Sequence, residues 1–319
     1  FGLVLPGAPS NVHHFDDVVV QQRELTVLTA LDRNRYRLQA QVYQQQARKM
    51  SCLVDALDEI VASDKRRASE LIQARKTLAQ VEVSRDVALA QARQIDIRLR
   101  KLIGDQLSVG EGISSALAMA PELGEVQRGI EQSPEAMQLK AQTAALDSYQ
   151  QALVSSQRPQ VNWTVGRTDA IRGDLRSSGW QAGVQLNYTL YNGESDKAQA
   201  LAAAKRAEAS RQQYREMLES RMAKTTELFD VSAASFDRAK RYVDILRDSE
   251  RVRNFTIQQW SQLGRRSLFD VMSAESDHFG LRISYVNALY DGFAANAQLR
   301  SYARGLIGWL VPDLSNAAR

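Results

Sequence analysis

Two short segments of the chain alternate strictly between apolar and polar positions, and two very long ones contain neither glycine nor proline. In Val161-Asn162-Trp163-Thr164-Val165-Gly166 the odd positions are apolar and the even ones polar or small. From Trp180 through Ala182, Val184, Leu186 and Tyr188 to Leu190 every even position is apolar, small or aromatic, and the residues between are polar or glycine. A period of two predicts strands with one apolar face. An eleven-residue polar loop, Asp169 to Gly179, is expected between them.

The long segments run from Phe15 to Ile103 and from Glu194 to Leu263. Stretches of this length without a breaker exceed ordinary globular helices and predict coiled-coil or helical-hairpin structure. As a helix the second would extend roughly 105 Å. A turn is expected in the first at Ala62-Ser63-Asp64-Lys65, where Ser and Asp can fold back onto the backbone. Gly104 should end its second arm as a C-cap. Gly264 breaks the other stretch, and a further arm follows from Ser267 to about Gly305. The two second arms echo each other at an offset of 200: Arg66/Arg266, Ala74/Ala274, Ser84/Ser284, Ala88/Ala288, Leu89/Leu289, Leu99/Leu299 and Arg100/Arg300 are identical. This is the mark of an internal helical duplication.

Ser133-Pro134-Glu135 opens a further helix, with Ser as N-cap, Pro in the first position and Glu at the positive dipole end. The predicted division is therefore an irregular segment with a possible strand remnant (1–14), a first helical hairpin (15–104), a connector (105–132), a lead-in helix (133–158), a β-hairpin (159–192), a second helical hairpin (193–308) and a tail (309–319). The fold class is mainly α with a small β part.

A β-hairpin of this kind can lie on a soluble core. Two features favour a membrane instead. The second strand, about 11 residues long, matches a tilted membrane-spanning strand. Its apolar face runs between the aromatics Trp180 and Tyr188. A lone ribbon cannot satisfy its edges in lipid, so other copies must complete a closed barrel. Helices near 100 Å likewise need neighbours along their whole length. A ring of copies answers both needs, and a ring is hollow.

Composition narrows the picture further. No run of about 18 apolar residues offers a transmembrane helix. The 41 basic and 37 acidic residues give a net charge of only +4 and are finely interleaved, which argues against a nucleic-acid partner. Cys52 is the one cysteine, so no disulfide forms within the chain. His13, His14 and His278 lack ligand partners at useful spacing, and no metal is expected. No GxSxG, Walker A, HExxH or paired catalytic carboxylates occur, so neither an enzyme nor a cofactor is expected. The chain starts at Phe1 without initiator Met or signal peptide, as a mature product or a fragment would.

Four stretches in order then carry a resemblance. Asp270-Val-Met-Ser-Ala-Glu-Ser-Asp277, continued by Leu289-Tyr290-Asp291, is similar to a DVLxAExD run. Leu263-Gly264-Arg265-Arg266-Ser267 is similar to the xGxxS/T turn before it. Ser133-Pro-Glu-Ala to Arg158-Pro-Gln-Val161 resembles an "xPELxxx…LPxV" step, and Leu190-Tyr191-Asn192-Gly193 resembles "LFDGG". Together they resemble the TolC family of outer-membrane channels, which serve type I secretion and multidrug efflux. The first copy matches more weakly, with Glu70-Leu-Ile-Gln-Ala74 in place of Asp-Val-Leu-x-Ala and Asp64 where the family turn has glycine.

The resemblance implies a homotrimer in a Gram-negative outer membrane, with a shared transmembrane β-barrel and a periplasmic α-barrel of long antiparallel hairpins. It implies a passive conduit for export, docked to a periplasmic adaptor and an inner-membrane transporter, either ABC or proton-driven. The family barrel takes four strands per protomer. Only one strand pair is visible here, so the others are expected before Phe1 or to have diverged, with Phe1–Leu5 as a possible remnant. It also implies roles. Asp270, with Glu70 in the first copy, falls where the family sets an acidic ring at the periplasmic entrance. Ser273 stands where some members carry a second ring acid. Arg266 and Arg66 follow the turns, and Arg266 is expected to link to Glu70 or a similar group. Asp64, Lys65, Arg67, Gly264, Arg265 and Ser267 form the tip that an adaptor would contact. Trp163, Trp180, Val184, Leu186 and Tyr188 are the barrel's membrane face. Trp260 and Phe269 are expected to pack near the tip. Two other readings stay open: a periplasmic adaptor, which would need lipoyl-like segments around a single hairpin, and a structural coiled coil, which leaves residues 180–190 unexplained.

Overall fold

The structure is a computed structural model, and it describes residues 9–104, 117–172, 175–262 and 266–303. The elements in order are α1 (Pro9–Ser63), a 3-10 turn (Lys65–Arg67), α2 (Ala68–Ile103), α3 (Leu123–Ile130), α4 (Pro134–Ser156), β1 (Gln160–Arg172), β2 (Leu175–Asn187), α5 (Ser195–Ser261) and α6 (Leu268–Ala303). The chain divides into two compact units. One comprises residues 1–15 and 134–220, the other 16–133 and 221–319.

In the larger unit α1 and α2 form an antiparallel hairpin. Asp58 pairs with Arg75, Gln44 with Arg85 and Arg37 with Asp96, so the partners climb on one helix as they descend on the other. α6 runs antiparallel to α1 in the same way, through Gln45–Arg282, Gln39–Asn287, Arg35–Asp291 and Glu24–Ser301. Long helices of this kind have no central core, so packing is distributed in stations along the contact. Met50, Val54 and Leu57 of α1 meet Leu71 and Ala74 of α2 and Leu268 and Met272 of α6 at one station. Val27 and Leu31 of α1 meet Leu117 and Val286, Tyr290, Phe293 and Ala297 of α6 at another. α3 closes a third, where Val126 packs on Leu228, Ala295 and Leu299.

α2 and α6 are both 36 residues long and begin at Ala68 and Leu268. The offset of 200 seen in the sequence is thus the offset of two equivalent helices. Two of the repeated pairs are buried alike, Ala88 and Ala288 at 3% and 4% exposure and Leu99 and Leu299 at 3% and 0%, whereas Ala74 is buried and Ala274 only half-buried. Gly104 ends α2 with its N–H on the Arg100 carbonyl and φ 78°.

In the smaller unit α4 lies against the first part of α5 through Thr143–Ser210, Asp147–Arg211 and Gln157 to the Asp196 carbonyl. β1 and β2 form a two-stranded antiparallel ribbon, with Val161 opposite Leu186, Trp163 opposite Val184, Val165 opposite Ala182 and Arg167 opposite Trp180.

Three expectations change. α1 starts at Pro9, inside the stretch expected to be irregular; a proline is tolerated in a helix's first turn, where its missing N–H has no partner to lose. The strands run through the expected polar loop, with Asp169 paired to Ser178 and Arg172 to Leu175. Ladder bonds are made by backbone groups, so polar side chains do not end them. At the other end β2 stops at Asn187, opposite Gln160. Tyr188 and Leu190 lie past it because Pro159 lacks the N–H that would continue the pairing. The possible strand remnant at residues 1–5 and the tail at 309–319 lie outside the described residues, as does most of the connector, residues 105–116.

Candidate functional site

Two sites emerge from the fold, one in each unit. The first is the ribbon. Alternation places Val161, Trp163 and Val165 of β1 on the same face as Trp180, Ala182, Val184 and Leu186 of β2. Each of the large ones is uncovered: Trp163 is 76% exposed, Trp180 75%, Val184 77% and Leu186 64%. Tyr188, just past the strand, is 54% exposed. Arg167 leans over the Trp180 ring at 5.9 Å and holds Asp169 at 3.3 Å, so the apolar face is bordered by charge towards the turn. The opposite face carries Asn162, Thr164, Gln181 and Gln185. A continuous apolar face without a covering layer marks a surface built for a partner or for lipid.

The second site is the pair of turns. Both are anchored by the station that joins Leu57, Leu71 and Ala74 to Leu268 and Met272, with Trp260 packed against it. At the first turn Asp64 takes extended backbone, φ −130°, and its carboxylate accepts from the Arg66 N–H at 3.1 Å and from Arg66 Nε at 3.2 Å. Lys65 and Arg66 project into solvent; the Arg66 side chain is 93% exposed. Arg67 turns inward and binds Glu70 through Nε (3.2 Å) and Nη2 (2.7 Å).

At the second turn Ser267 and Asp270 build a reciprocal cap on α6. Ser267 N–H and Oγ both donate to Asp270 Oδ2 at 3.0 Å, and the Asp270 N–H donates to Ser267 Oγ at 3.2 Å. The two bonds from Ser267, aided by the Arg266 charge, hold the Asp270 carboxyl below its ordinary value. Arg266 Nε donates to Gln259 at 3.2 Å. Gly264 and Arg265 lie outside the described residues. Ser273 is exposed.

The expected link between Arg266 and Glu70 is not made within the chain: among the described residues each has a nearer partner, Gln259 and Arg67. Phe269, expected to pack, is 70% exposed, because it follows the cap on the outer side of α6 while Leu268 takes the inner position at 2%.

Three buried features of the larger unit, two of them polar, were not anticipated from the sequence. Asn296, fully buried, donates to the Leu117 carbonyl at 2.8 Å and accepts from Ser232 at 2.6 Å. Gly292 gives room to the Phe236 ring. Arg253, Glu275 and His278 form a buried ionisable group between α5 and α6. A polar residue inside the apolar run Phe293-Ala294-Ala295-Asn296-Ala297 was the available signal for the first.

No protein-family model matches the sequence, and no curated protein matches it. Solved structures do. CusC, whose structures describe folding and transmembrane channel formation, superimposes with a TM-score of 0.83 at 15% identity over 93% of this chain and 71% of its own. The outer-membrane channel OprN gives 0.82 at 14% identity over 94% and 69%. A membrane protein from Pseudomonas aeruginosa gives 0.80 at 14% over 93% and 68%. At such identities the likeness is one of architecture, and it is near complete along this chain: the protein has the fold of the TolC-like outer-membrane channels.

Proposed function

We propose that the chain is a subunit of a passive export channel in the outer membrane of a Gram-negative bacterium. The observation that carries this reading is the bare apolar face of the ribbon, on which Val161, Trp163, Val165, Trp180, Val184 and Leu186 are all more than half exposed. Among the described residues the ribbon has unpaired edges as well, and only a closed barrel satisfies both in lipid. Three copies would each give their ribbon to one barrel, and the helical hairpins would line a periplasmic tunnel. The likeness to channel structures supports the same assignment.

In this reading Asp270, Glu70, Arg66, Arg266 and Ser273 lie at the tunnel's periplasmic entrance, where threefold repetition would turn single charges into rings. A link from Arg266 to Glu70 would then join neighbouring subunits. Asp64, Lys65, Arg67, Gly264, Arg265 and Ser267 would meet a periplasmic adaptor, and an inner-membrane transporter would supply the energy. No observation favours the adaptor reading or the coiled-coil reading.

The test is assembly and conductance of the full-length protein. It should fractionate with outer membranes, require detergent, give a mass of three chains, and form ion-conducting pores in planar bilayers. A monomer that stays in solution without detergent and conducts nothing would overturn the proposal.

A further inference from the structure

Between α5 and α6 lies a group of ionisable side chains that neither the ribbon nor the turns use. Arg253 Nε and Glu275 Oε1 face each other at 3.7 Å, with side chains only 14% and 8% exposed. His278 follows Glu275 by one helical turn and is 7% exposed. Arg253 Nε, Glu275 Oε2 and His278 Nδ1 are all buried and find no hydrogen-bond partner among the described residues. Lys49 of α1, Glu250 and Arg253 of α5 and Arg282 of α6 are the charged groups that act on the pair. Arg253 is shared, since Glu250 also reaches it at 3.6 Å. The His278 ring stands edge-on to Phe279 at 5.6 Å, and Arg282 covers the other ring at 5.4 Å.

Each member of the pair is therefore short of solvation in its charged form, but the two differ in sign. Burial lifts the Glu275 carboxyl above its ordinary 4.5, against the pull of Arg253 and Lys49. Burial, with Arg253 and Arg282, pushes the His278 imidazole below its ordinary 6.5, against Glu250. Parting the two helices would return both to water. Glu275 would then release a proton in a window that begins at 4.5 and extends upward. His278 would take one up in a window that begins at 6.5 and extends downward. By linkage, the stability that Glu275 contributes is full below 4.5 and is lost as pH rises through its folded value. That of His278 is full above 6.5 and is lost as pH falls through its folded value. Acidification between those limits strengthens the contact through one group and weakens it through the other.

We propose that Glu275 and His278 are an opposed pair at the α5–α6 contact: as the surroundings acidify, the first strengthens it and the second weakens it, so that each offsets part of the other's effect. The inference depends only on the packing of these two helices. If the channel reading also holds, the pair would act within the wall of the periplasmic tunnel.

The experiment is amide hydrogen exchange of the full-length protein in detergent, followed at residues 250–256 and 275–282 from pH 4.5 to 6.5 and corrected for intrinsic rates. Four forms are compared: wild type, Glu275→Gln, His278→Gln and the double variant, which reads the background from the rest of the chain. Relative to that background, local opening of Glu275→Gln should increase on acidification, by up to about tenfold per pH unit for one proton. Opening of His278→Gln should decrease. The wild type, which carries both groups, should fall between the two single variants across the range. Slopes of the same sign in the two single variants, or a wild type steeper than either of them, would overturn the proposal. Should Glu275→Gln fail to fold with Arg253 short of its buried partner, Glu275→Gln with Arg253→Gln removes both charges and leaves His278 to give the same sign.

Discussion

Gly104 closes α2 at φ 78° and ψ 171°, a backbone region open only to glycine. Gly104→Ala has open space around its new methyl, so backbone strain alone should cost about 1–3 kcal/mol, read as a fall in the denaturation midpoint. Gly292 presents the opposite case. A Cβ there would lie 2.9 Å from Cε1 and Cζ of Phe236, whose ring is held edge-on to Phe293 at 5.7 Å. Gly292→Ala should cost about 1–3 kcal/mol by overpacking. Adding Phe236→Leu should return part of it, a coupling that a double-mutant cycle measures. Asn296, fully buried, ties three segments with two hydrogen bonds. Asn296→Leu strands the Leu117 carbonyl and the Ser232 hydroxyl and should cost about 2–4 kcal/mol, more than the net worth of the bonds themselves.

At the scale of elements, the cap on α6 and the ribbon make separate predictions. The Asp270 carboxyl is held low by Ser267, so the cap's contribution is present above 3.8 and is lost as pH falls through the folded value. Exchange of the first-turn amides of α6 should stay flat from neutral pH to about 4 and rise only in stronger acid. Asp270→Ala should raise it throughout that range. On the ribbon, Val184 and Gln185 are neighbours on opposite faces. If the apolar face meets lipid, Val184→Arg should reduce the assembled fraction strongly, at about 2–4 kcal/mol per copy near the bilayer centre, while Gln185→Arg is tolerated. Equal effects of the two would mean that the ribbon does not sit between lipid and lumen. The duplicated helices are legible in the amino-acid sequence alone, because seven identities at one offset within two helix-length stretches need no tertiary contact to be read. The strand ends are not. They are set by which backbone groups find partners, and Pro159 and the pairing of residues 169–178 decide that without reference to side-chain polarity.

For the whole molecule, the uncovered apolar residues are the informative ones. On α2, Ile72, Val83 and Ile97 are 68%, 63% and 69% exposed and fall within about 40° of one another around the helix. On α5, Val252 and Phe255 are 59% and 63% exposed. Nothing among the described residues covers these stripes, as expected if sister copies do. Ile97→Lys combined with Phe255→Lys should lower the trimer fraction in detergent at least about tenfold, a loss of about 1.4 kcal/mol or more, while leaving helix content by circular dichroism unchanged. A trimer that forms as before would place the subunit contacts elsewhere.

The sequence by itself determined the kinds of element, the duplication, the two turns and the apolar face of the ribbon. Each of these depends on residues near in sequence or on a simple period, and such information is local. It also held the motif order that pointed to an outer-membrane channel. The tertiary structure decided which charges meet. Glu70 goes to Arg67 rather than to Arg266, Asp270 becomes the cap of its own helix, and Glu275 and His278 are brought against Arg253 from a helix some twenty residues away in sequence. The last of these depends on the rotation of long helices about their axes, which the apolar pattern leaves loose and which only simultaneous packing at every station along the contact fixes.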